Sequence, residues 1–556
     1  MKSEKNLDNK IQDGMNSDDL DTSYSKQRFQ GKKIFSLLYL LGFLLLITIP
    51  IFTINRINGK LSATENRYLT KFPEVFDQEG KLVNDLKEGF ESWLTDNIGL
   101  RSHFVSLAAN IKVKAFRQST SNKVAIGQDG WYFYTLDNNL EIASGEYPLT
   151  EEMLAEIADK QQAISNYYKK TGVKYILALT PSKASIYPEY IGGANYTIGS
   201  SPCDIVEDYL SEHTDVCVVN LKAANIAAKG ESQQFLKTDT HWTQQGSYAA
   251  YRMLVEKLNE YDMLQEDPIE VQFSEDTVRG EFSAMLGASD ILPLETVPIA
   301  QWEKHSGQVK DGEWFDSIDQ LCKQSAEAKA YATIVLENSH VQQDNTMLIY
   351  GDSQWSAVRN VPYLLAEHFG NVVSIRMRAP SIEMDQTVKP DVVVFGCSER
   401  LIDSVLLRSL TIPNLVDRIP EISERPVQMA DYSIGTNGIC IDKYNGTNIK
   451  NAGKITLDTE SSVVTLVGWA ADFNALKPLD ALYLQIGDIN IQCNYGIERS
   501  SVSNHFHNND LKNTGFSVTF PASYLHDGQV NELRFIQIGA DGTYRYEPIT
   551  YQLLDS

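Results

Sequence analysis

The sequence predicts an α/β protein: a mostly parallel sheet flanked by helices, followed by a C-terminal β-sandwich and preceded by one N-terminal transmembrane helix. Three observations support this prediction. Residues 34–54 are uncharged and mostly apolar, strand and helix patterns alternate over residues 121–430, and short β-type runs separated by Gly, Asn and Asp turns fill residues 431–556. Alternation of strands and helices is typical of parallel sheets, and evenly spaced short strands are typical of sandwiches.

The composition is that of a globular protein with an acidic surface. The 556 residues include 49 Lys and Arg against 73 Asp and Glu, a formal net charge of −24. A field of that sign repels phosphate backbones, so we expect no nucleic-acid partner. At about 100 to 200 residues per domain, the length predicts two to four domains.

The run from Ile34 to Ile54 is long enough to cross a bilayer. Its 21 residues carry no charge, and about 20 apolar residues span the hydrocarbon core as a helix. The run exceeds the ~7 to 15 apolar residues of a signal peptide, so we expect an uncleaved anchor. The flanking cations predict a cytoplasmic N-terminus: Lys26, Arg28, Lys32 and Lys33 before the run, against Arg56 and Lys60 after it.

These patterns divide the chain into five predicted segments. Residues 1–33 form a cytoplasmic tail that is too poor in large apolar residues to bury a core, so we expect it to be disordered. The anchor covers 34–54, a helical membrane-proximal segment 55–120, the α/β domain 121–430 and the β-sandwich 431–556. For the last segment, carbohydrate binding and a spacer role are both open.

Within the α/β segment, Thr150 is a good N-cap for a helix that ends near Gly172. Strands are predicted wherever an apolar run follows a helical pattern: 173–181, 215–221, 346–350, 371–375 and 390–395. Ligands of such sheets bind at the carboxyl ends of the strands. We therefore expect the chemistry at those ends.

Two local patterns carry candidate catalytic residues. Ser353 follows the strand at 346–350 as part of Gly-Asp-Ser, where a strand-to-helix turn would expose its hydroxyl beside N–H groups that bind an oxyanion. Asp239 and His241 lie before a predicted helix. Serine needs a base, which His241 supplies, while Asp239 fixes the imidazole tautomer. Loop capping and metal binding are the alternatives for Asp239 and His241, although no third ligand stands nearby at a recognised spacing.

Seven short motifs follow one another along the chain: ENR…FP after the apolar run, GLR at 99–101, GQDGWYFY at 127–134, PSKASIYPEYI at 181–191, TDTHW at 238–242, GDS at 351–353 and KPDVVVFGCSER at 389–400. In these motifs and their order, the chain resembles the alginate O-acetyltransferases of the AlgJ/AlgX type and the related DHHW proteins of bacterial cell envelopes over roughly residues 60–410. The resemblance implies an SGNH hydrolase-like fold in which the D-x-H element precedes the serine.

By this resemblance, Asp239, His241 and Ser353 form a catalytic triad. The sequence departs from the family at Gln354, where an aromatic residue is frequent, and Thr240 stands where DHHW proteins have their first histidine.

The resemblance also places five further residues near the substrate, with salt bridging or core packing as the alternative for each: Lys183, Tyr187, Trp242, Glu399 and Arg400.

We therefore predict a membrane-anchored, extracytoplasmic O-acetyltransferase that modifies a cell-surface polysaccharide, with no cofactor and no metal. The resemblance implies that a multispanning membrane O-acyltransferase supplies the acetyl group. A polysaccharide deacetylase or esterase with the same triad and a non-catalytic polysaccharide-binding scaffold are the alternatives.

Six cysteines leave room for one to three disulfides in an oxidising compartment. The candidate pairs are Cys203 with Cys217 and Cys440 with Cys493, while Cys322 and Cys397 have no assignment.

Overall fold

The structure is a computed structural model. It describes residues 17–62, 67–76, 80–192, 199–287, 290–326, 328–329, 333–341, 345–356, 360–420, 438–449, 454–458, 462–473, 475–525, 531–539 and 544–554.

The helices in chain order are α1 (Ser17–Phe52), α2 (Leu86–Asn97), α3 (Arg101–Asn110), α4 (Asn139–Ser144), α5 (Glu151–Lys170), α6 (Lys183–Ile186), α7 (Pro202–His213), α8 (Lys222–Ala228), α9 (Gln244–Glu260), α10 (Phe282–Met285), α11 (Glu313–Gln324), α12 (Val361–Leu365), α13 (Ile382–Val388), α14 (Ile402–Leu406) and α15 (Ser500–His505).

The strands are β1 (Leu61–Ser62), β2 (Arg67–Tyr68), β3 (Val124–Ile126), β4 (Tyr132–Tyr134), β5 (Lys174–Thr180), β6 (Val218–Asn220), β7 (Gln272–Val278), β8 (Glu295–Gln301), β9 (Gly307–Gln308), β10 (Ile334–Glu337), β11 (Thr346–Gly351), β12 (Asn371–Arg376), β13 (Val392–Ser398), β14 (Asn414–Val416), β15 (Ile439–Tyr444), β16 (Thr447–Asn448), β17 (Lys454–Asp458), β18 (Val463–Ala470), β19 (Ala481–Ile486), β20 (Ile489–Gln492), β21 (Asn494–Ile497), β22 (Gly515–Pro521), β23 (Asn531–Ile538) and β24 (Tyr544–Leu554).

The chain separates into two compact units. The first comprises residues 1–121 and 283–291, and the second comprises residues 122–282 and 292–556. The first unit carries α1 to α3, and the second carries both the α/β sheet and the C-terminal strands.

In the first unit, α1 contains the apolar run. Residues Phe35–Phe52 have a mean hydropathy of 2.4 and are almost wholly exposed, so by length and composition this is a candidate membrane span. The helix also includes residues 17–33, for which the composition predicts disorder. Helix propagation is far easier than nucleation, so the apolar segment can extend into a polar flank. Residues 1–16 lie outside the described part of the chain.

The α/β sheet of the second unit has the strand order β6-β5-β13-β11-β12-β10-β9. The first five strands are parallel to one another. At the other side of the sheet, β10 pairs antiparallel with β12, and β9 pairs antiparallel with β10. Strand β5 is buried on both faces, because Leu177 and Leu179 join one core and Ile176 and Ala178 join the other. The predicted α/β class and mostly parallel sheet are confirmed.

Helix α5 begins where the sequence predicts. The Thr150 hydroxyl accepts a hydrogen bond from the Met153 amide, and the helix buries one face against the sheet. Such a cap stabilises a helix by about 1 kcal/mol. Helix α5 leads into β5, whose carboxyl end lies at the candidate site.

The C-terminal strands form a six-stranded sheet, β14-β20-β19-β23-β24-β17, and a five-stranded sheet, β16-β15-β18-β22-β21. Phe516 of the second sheet contacts Phe535 of the first, with ring centroids 5.5 Å apart. This contact supports the β-sandwich, which remains a prediction. Strand β14 joins the first sheet although it precedes residue 431, the boundary expected from the sequence.

All six cysteines are described, and all six are free thiols. Neither predicted disulfide forms. Burial raises the pKa of Cys203 and of Cys397 well above the ordinary range of a thiol, which makes both poor nucleophiles.

Candidate active site

Three neighbouring strands end at the same edge of the α/β sheet. Strands β5, β13 and β11 are parallel and adjacent, and they end at Thr180, Ser398 and Gly351. The residues that follow each strand therefore share one edge, as parallel sheets require. Ser353 lies two residues beyond the last of these strands.

The turn that carries Ser353 is fixed by the carboxylate of Asp352. This carboxylate accepts hydrogen bonds from the Gln354 amide at 2.9 Å and from the Ser398 amide at 3.2 Å. It thereby ties the end of β11 to the end of β13. The turn continues as a single 3₁₀ turn, Ser353–Trp355, rather than as the α-helix that the sequence predicts.

Trp355 locks this turn onto the sheet. Its ring is fully buried, and its indole N–H donates to the Thr180 hydroxyl at 3.1 Å. A Cβ atom on Gly396 would lie 2.2 Å from the ring, and one on Gly351 would lie 2.8 Å from it. Glycine is therefore required at both strand positions, because the ring occupies the space of a side chain.

The segment that carries Asp239 and His241 is a tight loop before α9. Phe235 and Trp242 pair as an antiparallel bridge, and the Leu236 amide donates to the His241 carbonyl at 3.1 Å. Thr243 then caps α9.

Lys183 holds this loop through hydrogen bonds to its backbone. It is buried, and its ammonium donates to the carbonyls of Leu236 at 3.0 Å, Lys237 at 3.2 Å and Asp239 at 2.6 Å. It also lies 4.7 Å from the ring centroid of Phe282. Burial lowers the pKa of Lys183 to about 7. The three carbonyl acceptors offset part of the free-energy cost of burying this group.

Two glutamates also make hydrogen bonds to the loop. The Glu295 carboxylate accepts from the amides of Lys237 and Thr238 at 2.8 and 3.1 Å. The Glu281 amide donates to the Asp239 carboxylate at 3.1 Å. A Cβ atom on Gly280 would lie 2.0 Å from the Thr238 carbonyl oxygen, so the backbone approach here requires glycine.

Asp239 and His241 form a close pair. Nδ1 of His241 lies 2.6 Å from Oδ1 of Asp239, and both side chains are largely buried. A proton on Nδ1 is directed at the carboxylate, which leaves Nε2 as the basic nitrogen. The pair therefore has the geometry of a general base with its orienting acid.

Gln354 connects the two halves of the site. Its amide group donates to the Thr240 carbonyl at 3.3 Å, and its oxygen accepts from the Trp242 amide at 3.4 Å. The residue after Ser353 therefore contacts the backbone on both sides of His241. Within the described residues, Ser353 and His241 are joined through Gln354 rather than by a direct hydrogen bond.

The amides at the turn differ in their availability to an oxyanion. The Gln354 N–H is engaged by Asp352. The Ser353 N–H makes no hydrogen bond within the described part of the chain. Of these two amides, the Ser353 N–H is the one free to hold the oxyanion of an acyl intermediate.

A small polar cavity adjoins both halves. The hydroxyls of Ser182 and Ser398 are buried there and make no hydrogen bond to any described residue. Its other lining residues are Tyr134, Asn139, Pro181, Lys183, Thr240, Gln354 and Arg400.

The five residues predicted near the substrate differ in their exposure to solvent. Lys183, Tyr187, Trp242 and Glu399 are buried, and a role for them near the substrate stays a prediction. Tyr187 accepts from the Gln234 amide, and Glu399 accepts from the Ser182 amide and the Ser185 hydroxyl.

Arg400 is the fifth of these residues and the one that remains partly exposed. It pairs with Asp137 and lines the cavity.

Glu281 also bears on the metal alternative. Ligand atoms of Asp239, His241 and Glu281 all lie within 4.8 Å of one another. The structure thus supplies the third candidate ligand that the sequence lacked. However, Nδ1 of His241 and the Glu281 oxygen are already linked through the Thr240 hydroxyl, which donates to Glu281 and lies 3.2 Å from Nδ1.

Sequence reasoning missed Glu281, Glu295 and the bridging role of Gln354. The two glutamates act across 42 and 57 residues, so no local pattern marks them. Gln354 was visible as a departure from the family, although its partners were not.

Comparison with known proteins finds similar sequences for part of the chain. Residues 124–331 match the family model of the SGNH hydrolase-like domain of the acetyltransferase AlgX. This match confirms the resemblance to AlgX/AlgJ-type proteins. It includes Asp239 and His241, and Ser353 lies beyond its end.

Among the curated relatives, a probable alginate O-acetylase AlgJ of Pseudomonas putida is 30% identical over 151 residues, 26% of this chain and 36% of the relative. Its counterpart in Pseudomonas syringae is 31% identical over 170 residues, 30% of this chain and 40% of the relative. The chain thus spans about two fifths of the relatives' length. The solved O-acetyltransferase domain of P. putida AlgJ is 19% identical with a TM-score of 0.35, covering 50% of this chain and 92% of that domain.

Proposed function

We propose that this chain is a membrane-anchored O-acetyltransferase that modifies a cell-surface polysaccharide through Asp239, His241 and Ser353. The observation that carries the proposal is the meeting of two distant segments at one sheet edge. Gln354, directly after Ser353, hydrogen-bonds to the backbone on both sides of His241. The match to the AlgX domain and to AlgJ relatives supports acetyl transfer over other acyl chemistry.

In this mechanism, Nε2 of His241 takes the proton of Ser353 as the serine oxygen attacks the carbonyl carbon of an acetyl donor. The Ser353 N–H stabilises the oxyanion, and the proton passes to the leaving group. A sugar hydroxyl, deprotonated by His241, then attacks the acetyl-enzyme, which releases the acetylated sugar and restores Ser353. Asp239 stabilises the imidazolium in both steps.

The anchor and the donor complete the proposal. Residues Phe35–Phe52 would span the membrane with the N-terminus in the cytoplasm and the catalytic unit outside, since cations are denser before the span. A multispanning membrane O-acyltransferase would supply the acetyl group.

The test is acetyl transfer from a soluble acetyl ester to alginate oligosaccharides by the purified full chain, because alginate is named for the relatives. We expect acetylated oligosaccharide with the wild type and none with Ser353→Ala. Acetate release that is equal with and without any acceptor sugar would assign the esterase alternative. Acetylation retained in Ser353→Ala would contradict the triad.

A further inference from the structure

The first unit contains a basic segment in an otherwise acidic chain. Residues 97–121 contain four Lys and Arg and no Asp or Glu, whereas the whole chain carries a net charge of −24. The segment includes α3 and the π-helical turn Ile111–Ala115 that continues it. Such a local excess of cations favours contact with an anionic surface.

One side of α3 is apolar and exposed. Leu100, Phe104, Leu107 and Ile111 follow helical spacing and lie on the same side, where Leu107 is 58% exposed. We call these four residues the α3 apolar face. Ala109, on the other side of the helix, is buried. The helix therefore packs with one side and presents large apolar side chains on the other.

The start of α3 is fixed at the end of the candidate membrane span. The Gly99 amide donates to the Pro50 carbonyl at 2.9 Å, and the Asn55 amide donates to the Asn97 carbonyl at 2.8 Å. A Cβ atom on Gly99 would lie 1.9 Å from the Thr53 hydroxyl, so glycine is required for this approach. The α3 apolar face thus begins at the level where α1 would leave the bilayer.

We propose that the α3 apolar face lies in the interface of an anionic lipid bilayer, with Lys112 and Lys114 against the lipid phosphates. Both lysines are exposed in the turn that follows α3. Exposed apolar side chains on a helix that lies at a bilayer surface insert about 5 to 10 Å into the headgroup boundary, and anionic lipid strengthens the contact of neighbouring cations. This inference rests on the membrane anchoring in the proposed function and is independent of the acetyl transfer.

The experiment places a fluorescent probe on the full chain in lipid nanodiscs. One variant carries the probe at Leu107→Cys in the α3 apolar face, and the matched control carries it at Ser102→Cys, an exposed position on the other side of α3. Labelling of the native cysteines, most of which are buried, is measured on the wild type and subtracted as background. Quenching by lipids with a spin label near the headgroup is measured in phosphatidylcholine, with and without phosphatidylglycerol.

We expect several-fold stronger quenching at Leu107→Cys than at Ser102→Cys, with a further increase when phosphatidylglycerol is present. Adding Lys112→Gln and Lys114→Gln should remove that increase. Equal quenching at both positions, or protection of the Leu107→Cys probe from both lipid and aqueous quenchers, would overturn the proposal; the second result would assign the face to a protein partner or a second copy. Alkaline extraction of the wild type from vesicles tests the anchor separately.

Discussion

The serine turn and the histidine loop meet at one sheet edge but are held in different ways. The serine turn is fixed by the sheet itself: Asp352 joins two strand ends, and Trp355 fills the space over two strand glycines. The histidine loop belongs to no sheet and is held by side chains, chiefly by the three hydrogen bonds of the buried Lys183. The turn should therefore tolerate changes in distant residues better than the loop does.

The largest expected effects come from the reacting groups, which do not distinguish the two halves. Ser353→Ala and Asp239→Asn should each lower kcat by about 10⁴-fold, because one removes the nucleophile and the other removes the anion that orients His241. Thermal unfolding should change little for Ser353→Ala. Steady-state transfer kinetics measure the loss, and a residual rate above a few per cent for either variant would contradict the assignment.

The loop should fail when its buried cation is removed. Lys183→Met keeps an unbranched side chain that is one atom shorter and deletes the three hydrogen bonds, so we expect kcat to fall by about 10²-fold through misplacement of His241. Lys169→Met, at an exposed position near the end of α5, is the matched control. Unchanged kinetics in Lys183→Met would show that the loop is held without the charge.

The same lysine predicts a pH dependence of stability. Burial lowers the pKa of Lys183 to about 7 in the folded chain, from the ordinary lysine value of 10.5 that an unfolded chain retains, so the unfolded chain binds more protons between these values. The free energy of unfolding of the wild type relative to Lys183→Met should therefore rise with pH from about 7 to 10.5, by at most about 1.4 kcal/mol per pH unit, and stay flat below pH 7. Urea unfolding across this range measures it. If the difference in the free energy of unfolding between the two proteins stays flat or falls above pH 7, the lowered pKa of Lys183 is contradicted.

A larger side chain beneath Trp355 should destabilise the serine turn. Gly396→Ala places a methyl group against the Trp355 ring, which we expect to lower the free energy of unfolding by about 1 to 3 kcal/mol. Gly307→Ala, at an open position of the same sheet, should cost much less. Equal stability of the two variants would argue against the role of Trp355.

The smallest expected effect concerns the link between the halves. Gln354→Leu removes two long hydrogen bonds and should lower kcat about 30-fold, since each neutral hydrogen bond contributes about 1 kcal/mol and about 1.4 kcal/mol is a factor of ten in rate. KM should stay near the wild-type value because Gln354 positions His241 rather than binding substrate. Gln308→Leu on the exposed edge strand is the control. A change confined to KM would assign Gln354 to substrate binding.

The comparison also explains what the sequence could predict. The strand before Ser353 and its glycine-containing turn are local patterns, so the strand, its end and the candidate nucleophile followed directly from the sequence. The pairing of Asp239 with His241 was also local. The side chains that hold the histidine loop could not be predicted from local patterns, because Lys183 and Glu295 act through contacts with distant backbone groups. Burial of Trp242 was likewise set by tertiary packing, which residue type alone does not specify.

The central claim is that Ser353 carries the acetyl group. Brief incubation of the full chain with a soluble acetyl ester, acid quenching and tandem mass spectrometry of the digest would locate it, with Ser356→Ala as the matched control for Ser353→Ala. We predict an acetylated Ser353 in the wild type and in Ser356→Ala, and none in Ser353→Ala. Acetylation at another residue, or acetyl transfer with Ser353 unmodified throughout, would contradict the account.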